Sequence, residues 1–174
     1  MARYKRSKSE GKISHKKTTI DGITFDSKME SEYYTYLKEE KKAGRILDFE
    51  LQPVFELQPK YIYFDGIMVT EHDPRYNDID KARKKYNKLN PDNKVNIVQA
   101  IKYKSDFKIT YNDNSVKVVD VKGVKTADFK LKEKMFNFKY PQYGGLKCIV
   151  WEHNNWYEWN ELKQIKKTLK NKNK

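Results

Sequence analysis

The residues of this chain best placed to do chemistry are three ionisable side chains on two short strand-like stretches, the second of them apolar but for an acid and a lysine. The first stretch reads Tyr103-Lys104-Ser105-Asp106-Phe107-Lys108-Ile109, the second Val118-Val119-Asp120-Val121-Lys122-Gly123. Strand side chains alternate faces, so Asp120 and Lys122 share one. A carboxylate and an ammonium in an apolar, buried strand are costly to desolvate, so they point to a site rather than to stability. A polar turn, Asn112-Asp113-Asn114, separates the stretches. With a three-residue hairpin loop and Asn114 in the left-handed conformation, Asp106 lies opposite Asp120 and Lys104 opposite Lys122, all on one face. A two-residue loop at Asp113-Asn114 would set Asp106 against Val121 and turn it to the other face. The register that clusters the aspartates is the one expected.

Two neighbouring carboxylates repel. Either one pKa rises or a divalent cation sits between them. Mg²⁺ takes one or two carboxylates and keeps several waters, which leaves room for a phosphate and an attacking water. A nearby lysine can orient that water or offset charge developing on the phosphate. An isolated Asp-x-Lys also suits a surface hairpin with its polar side chains outward. The flanking Val118, Val119 and Val121 count against that.

An Asp on one strand followed by Asp-x-Lys on the next resembles the PD-(D/E)xK nuclease superfamily. More closely, the chain resembles a phage-encoded, restriction-endonuclease-like family distantly similar to RecU-type Holliday junction resolvases. Phe25-Asp26-Ser27-Lys28-Met29-Glu30, Leu51-Gln52-Pro53-Val54-Phe55-Glu56-Leu57, Ser105-Asp106-Phe107, Val119-Asp120-Val121-Lys122-Gly123 and Lys139-Tyr140-Pro141 carry the resemblance, in order, from about residue 17 to about 152. Ser105 stands where the motif's name has proline. The resemblance implies an α/β fold with a mixed β-sheet flanked by helices. It implies Mg²⁺- or Mn²⁺-dependent cleavage of DNA, with branched, Holliday-junction-like DNA the leading substrate and a homodimer the acting form. Linear-DNA cleavage, or a non-catalytic DNA-binding role on the same fold, are the alternatives. Asp106 and Asp120 would ligate the metal, and Lys122 would orient the nucleophile. Glu30 would ligate the metal or position its water. On its own, Ser27-Lys28-Met29-Glu30 reads as a capping box at a helix start, and Glu32 is a nearby competitor on another face.

The elements that must position these residues follow from pattern. A helix is expected from about Ser27 to Ala43, ended by Gly44, with Met29, Tyr33 and Leu37 as its buried stripe. Residues 45–63 read as strands broken at Pro53 and Pro59. Asp78 to Leu89 is a charged helical segment in an insertion of about 72–98, read as a DNA-contacting arm, a dimer element or a solvated loop. Strands are expected over 99–110 and 116–122, and a helix over 127–139 burying Phe129, Met135 and Phe136. A strand over 146–152 leads to a turn at Asn154-Asn155. Asn160 would cap a last helix that packs through Leu162, Ile165 and Leu169. The domain proper is then 18–162, flanked by a basic disordered arm, 1–17, and a basic C-terminal helix end and tail, 163–174.

The formal net charge is +13, and its placement is uneven. Residues 1–17 hold seven basic side chains and one acidic, and residues 163–174 hold six lysines and no acid. The body between is nearly neutral. Basic tails suit a polyanion, so Arg3, Lys5, Arg6, Lys16, Lys17, Lys166, Lys167 and Lys170, with Lys125 and Lys130 after the second strand, are the expected DNA contacts. A single cysteine, Cys148, excludes an internal disulfide framework and fits a reducing cytoplasm. There is no apolar run of membrane-spanning length, no zinc spacing among the three histidines and no phosphate-binding glycine loop.

Overall fold

The computed structural model describes residues 17–172. Arg3, Lys5, Arg6 and Lys16, and the expectation of a disordered arm, lie outside them. Strands β1 (Thr18–Ile20) and β2 (Ile23–Phe25) close on Asp21-Gly22, both at positive φ, as a two-residue hairpin needs. Helix α1 (Lys28–Lys42) follows, capped by Ser27 and ended before Gly44, whose φ is 70°. Strands β3 (Asp48–Leu51), β4 (Val54–Gln58), β5 (Tyr61–Phe64) and β6 (Ile67–Thr70) lead to helix α2 (Ile79–Leu89). Strands β7 (Ile101–Lys104), β8 (Phe107–Thr110) and β9 (Val116–Val121) precede helix α3 (Ala127–Lys139). A 3-10 turn (Pro141–Tyr143), strands β10 (Lys147–Glu152) and β11 (Asn155–Glu158) and helix α4 (Trp159–Lys172) complete the chain. No helix among the described residues is long and apolar enough to cross a membrane.

The fold is mixed α/β. Its central sheet has the order β11-β10-β9-β8-β3, with β9 and β10 parallel and the other pairs antiparallel. The parallel pair needs a crossover, and α3 supplies it. Alternation then sorts the core. Phe107, Ile109, Val119, Val121 and Ile149 face α1 and meet Tyr33, Tyr34 and Leu37. Val118 and Cys148 point the other way and meet Phe129 and Phe136 of α3. Each fully buried side chain of this size contributes about 1.5–3 kcal/mol, so the sheet is clamped between two helices by residues that flank the candidate site.

The expected strand over 99–110 is two strands. Val54 pairs with Lys104, and Leu51 with Phe107, in one continuous antiparallel register. Between them, Ser105 N–H donates to Pro53 O at 3.1 Å and Gln52 N–H to Asp106 O at 2.9 Å. One long ladder therefore bends at Gln52-Pro53 and Ser105-Asp106 together. Pro53 lacks an amide hydrogen, and Gln52 takes a left-handed φ of 51°. Beyond the bend, Lys104 reaches Gln52 Oε1 at 3.3 Å instead of lying against Lys122.

Residues 61–95 build a satellite unit. Ile62 and Val69 of the β5–β6 hairpin pack on Ile79 of α2, with Phe64, Tyr76 and Val95 around them. The insertion expected at 72–98 is thus folded together with the hairpin that precedes it. At the other end, α4 starts at Trp159 directly after β11, so Asn160 lies inside the helix rather than capping it. Leu162 is buried, but Ile165 and Leu169 are exposed, against expectation. The tight turn falls at His153-Asn154, both left-handed, one residue earlier than expected.

Candidate active site

The hairpin β8–β9 sets the site. Phe107 pairs with Val119, Lys108 with Val118 and Thr110 with Val116. Tyr111 N–H donates to Ser115 O at 2.9 Å, leaving Asn112 to Asn114 as the loop, and Asn114 has φ 63°. The paired stretch ends at Phe107, and one step beyond it Asp106 N–H donates to Val119 O at 3.1 Å, the carbonyl of the residue Phe107 already faces, so the ladder is bulged at Asp106. The three-residue loop sets the register as far as Phe107, and past the bulge the Asp106 carboxylate turns to the end of β9, where it meets the Val121 amide and feels the charge of Asp120.

Asp120 is 1% exposed. Its Oδ2 accepts a short hydrogen bond from the Tyr103 hydroxyl. Lys122 Nζ stands 2.7 Å from Oδ1, so Oδ1 is ion-paired, though it accepts no hydrogen bond among the described residues. Lys122 remains partly open to solvent, with its ammonium 5.2 Å from the Phe129 ring centre. Burial opposes its charge, but the Asp120 carboxylate outweighs burial and holds the ammonium above the ordinary lysine value.

Asp106 Oδ2 accepts from Val121 N–H at 2.7 Å. Burial, then the like charges of Asp120 and Glu30, push its carboxyl up to about 8, against the opposing pull of the Val121 amide and Lys122. Burial and Asp120 likewise hold the Tyr103 hydroxyl far above the ordinary tyrosine range. Crowded carboxyls, with an Asp120 oxygen that has an ion-pair partner but no hydrogen bond, fit a hard divalent cation, which binds through one or two carboxylates and water.

Glu30 is held in the helix cap, near the carboxylate site. Its amide donates to Ser27 Oγ at 3.2 Å and its Oε1 accepts from that hydroxyl at 2.8 Å, so it is a helix-cap residue. It also senses Lys122 and is sensed by Asp106, and burial raises its pKa. The start of α1 lies over the end of β9, where a β-carbon on Gly123 would come 3.9 Å from Met29 Cε. Glu32 is exposed and pairs with Lys28 at 3.2 Å.

Among the described residues, the trio whose ligand atoms all lie within 4.8 Å of one another is Glu56, Glu71 and His72. Glu30, Asp106 and Asp120 stand further apart, with Glu30 turned onto Ser27. The Glu56 group is already committed: Lys139 and His72 each lie 2.9 Å from Glu56, and Glu71 Oε1 accepts from Lys60 N–H at 2.8 Å. These contacts fasten the satellite unit to β4 and α3.

The expected DNA-contacting lysines divide. Lys125 is nearly buried and pairs with Glu133 at 2.7 Å, so it is not free for phosphate. Lys166 pairs with Glu152 at 2.6 Å, and Lys17 lies 3.6 Å from Asp26. Lys130, Lys167 and Lys170 are exposed.

Tyr103 and Ser105 were not legible as site residues. In an unbroken strand Tyr103 would face away from Asp120. The only clue is the polar pair Ser105-Asp106 interrupting the run. Ser105 is fully buried and its hydroxyl has no partner.

No curated protein and no solved structure matches the chain. The model of one family, described as a protein of unknown function (DUF1064), matches residues 10–152, most of the chain and all of the site described above. The chain therefore belongs to the DUF1064 family.

Proposed function

We propose that this protein is a metal-dependent DNA endonuclease with a restriction-endonuclease-like fold, acting on branched DNA. The observation that carries the reading is the meeting of Asp106 and Asp120 at the end of β9, with Asp120 fully buried and Lys122 set against it and open to solvent on its other side. A bound Mg²⁺ or Mn²⁺ would supply Lewis acidity and an activated water. Asp106 and Asp120 would hold it, and the Tyr103 hydroxyl and the Val121 amide fix one oxygen of each. Lys122 is placed to meet a phosphate oxygen while Asp120 keeps it charged. Glu30, if it leaves Ser27, would complete the acidic set or orient a water. The preference for branched over linear DNA rests on the resemblance to RecU-type resolvases, as does a dimeric form.

The test is direct. Purified protein is incubated with four-way junctions, linear duplex, flaps and single strands, with Mg²⁺, with Mn²⁺ and with chelator. Metal-dependent cleavage that disappears in Asp106→Asn supports the reading, and the substrate ranking decides junction against linear duplex. Cleavage that persists in chelator, or in the variant, removes it.

A further inference from the structure

Helix α2 carries Lys81, Arg83, Lys84, Lys85 and Lys88 against one acid, Asp80. Lys81, Lys84, Lys85 and Lys88 recur at the spacing that places side chains on one helix face, and all four are exposed. Lys81 lies 3.6 Å from Asp78 at the helix cap. Among the described residues, no acid pairs with Lys84, Lys85 or Lys88. Some surface lysines elsewhere are matched, Lys38 with Asp21, Lys41 with Asp48 and Lys108 with Glu50, while others, such as Lys130 and Lys134 of α3, stand unpaired among the described residues. A merely solvated helix face mixes signs, whereas this one has a single sign. The helix dipole favours Lys88 near the C-terminus but gives nothing to Lys84 and Lys85 in the middle.

The opposite face is fastened down. Ile79 is buried against Ile62 and Val69. The Tyr86 ring lies 5.0 Å from Phe64 and its hydroxyl donates to Asp65 at 2.6 Å. The Asn87 side chain bonds Val95 through both its atoms, at 3.0 and 2.8 Å. With its apolar side used up, α2 has no face for lipid, which a membrane-seeking helix must offer. The lysine row spans seven residues, about 10 Å. That matches about three successive phosphates of one strand, at one charge per ~3.4 Å of axis. The satellite unit is tied to the site's own ladder: Tyr61 bridges to Val98, and the chain then runs through β7 to Asp106. Eight residues of extended chain reach at most about 26 Å, less than one duplex turn of about 34 Å.

We propose that the lysine face of α2 binds the phosphate backbone of a nucleic-acid duplex and holds the substrate beside the carboxylate site. The identity of the partner rests on the nuclease reading; the surface does not. The full-length protein is titrated in chelator with a fluorescent duplex of about 30 base pairs, between 50 and 200 mM salt. The variant is Lys84→Gln/Lys85→Gln/Lys88→Gln, which keeps helix propensity, with melting as the check on folding. At ~0.9 per lost contact, the wild type should lose affinity about 40-fold more than this variant across that salt range. The arginine version at the same three positions should restore the wild-type slope. A folded glutamine variant with wild-type affinity and slope overturns the proposal and leaves the nuclease reading standing. Equal binding of wild type and variant to duplex, with loss confined to phosphatidylserine vesicles or polyglutamate, overturns nucleic acid as the partner. Duplex binding that falls in the variant, in a protein that cuts none of the four DNA substrates with metal, supports the surface and sinks the nuclease reading.

Discussion

The Tyr103 hydroxyl and the Asp120 carboxylate are joined by a buried hydrogen bond that crosses the bend at Ser105-Asp106. The bend resets strand phase, so Tyr103 rather than Lys104 lands on Asp120. One oxygen of Asp120 is thereby committed to a neutral donor, and the other is left to Lys122 and to anything the site binds. Tyr103→Phe keeps the ring against Phe136, from which its centre is 6.1 Å, and removes only the hydroxyl. Leaving Asp120 Oδ2 unpaired should cost about 1–3 kcal/mol of stability. Losing an orienting partner should weaken Mn²⁺ binding about 10- to 100-fold, read by calorimetry. Unchanged melting and unchanged Mn²⁺ affinity would show that the bond does not matter.

Asp106 and Asp120 should respond in opposite directions to neutralisation. Asp106→Asn removes a charge that burial, Asp120 and Glu30 all oppose, and the amide oxygen can still accept from Val121 N–H. The metal-free variant should gain more than about 1 kcal/mol near pH 8. Asp120→Asn leaves Lys122 without its counter-charge and should lose about 3 kcal/mol. Denaturant melts of both variants decide this, and stabilisation by Asp120→Asn would contradict the charge arrangement described here.

The contribution of Asp106 to the stability of the metal-free protein should shrink as pH rises from about 4 to about 8. Asp106 titrates near 8 in the folded chain and near 3.9 when unfolded. Across that window the folded state holds a proton that the unfolded state has released, so each step up in pH favours unfolding. Glu30 is shifted in the same direction. Below about pH 4 the contribution is fully present, and above about 8 it is gone. Mn²⁺ affinity should rise over the same window, because binding must displace that proton. The slope is read as the difference between wild type and Asp106→Asn in chelator, which cancels the opposite contribution of carboxyls that their partners hold low, such as Glu56 and Asp73; a difference that does not change over this range would rule out the protonated Asp106.

Ser105 offers a test free of catalysis. Its hydroxyl is buried and unpartnered, while its amide bonds Pro53 O. Ser105→Ala should be neutral or stabilising by up to about 1 kcal/mol. Ser105→Pro would match the name of the motif, yet it deletes the amide donor at the bend and should cost about 1–3 kcal/mol. The two variants should separate clearly in a thermal melt.

Glu30→Gln can still serve in the capping box, so melting should move by less than about 0.5 kcal/mol. If Glu30 leaves Ser27 to act at the metal, the same change should abolish cleavage, with Glu32→Gln as the unaffected control. Normal cutting by Glu30→Gln would assign Glu30 to the cap alone.

Local pattern determined a good part of this protein. Alternation placed Asp120 and Lys122 on one face, and the loop Asn112-Asp113-Asn114 set the register that carries β8 as far as Phe107 opposite Val119. Both are short-range properties, fixed by strand period and by the one left-handed residue the turn requires. The capping box at Ser27 and the buried stripe through Tyr33 and Leu37 were legible for the same reason. What only the tertiary structure decided depends on partners far away in sequence. Gln52 and Pro53 bend a ladder some fifty positions from Ser105 and Asp106, and that bend exchanges Lys104 for Tyr103 at the site. Glu133 neutralises Lys125, which composition alone had offered to DNA. The satellite core buries one side of α2 and leaves its lysine row outward. Charge counts and periodicity carry no information about which distant chain a side chain will meet, and at this site those meetings set the protonation of Asp106 and the hydroxyl partner of Asp120.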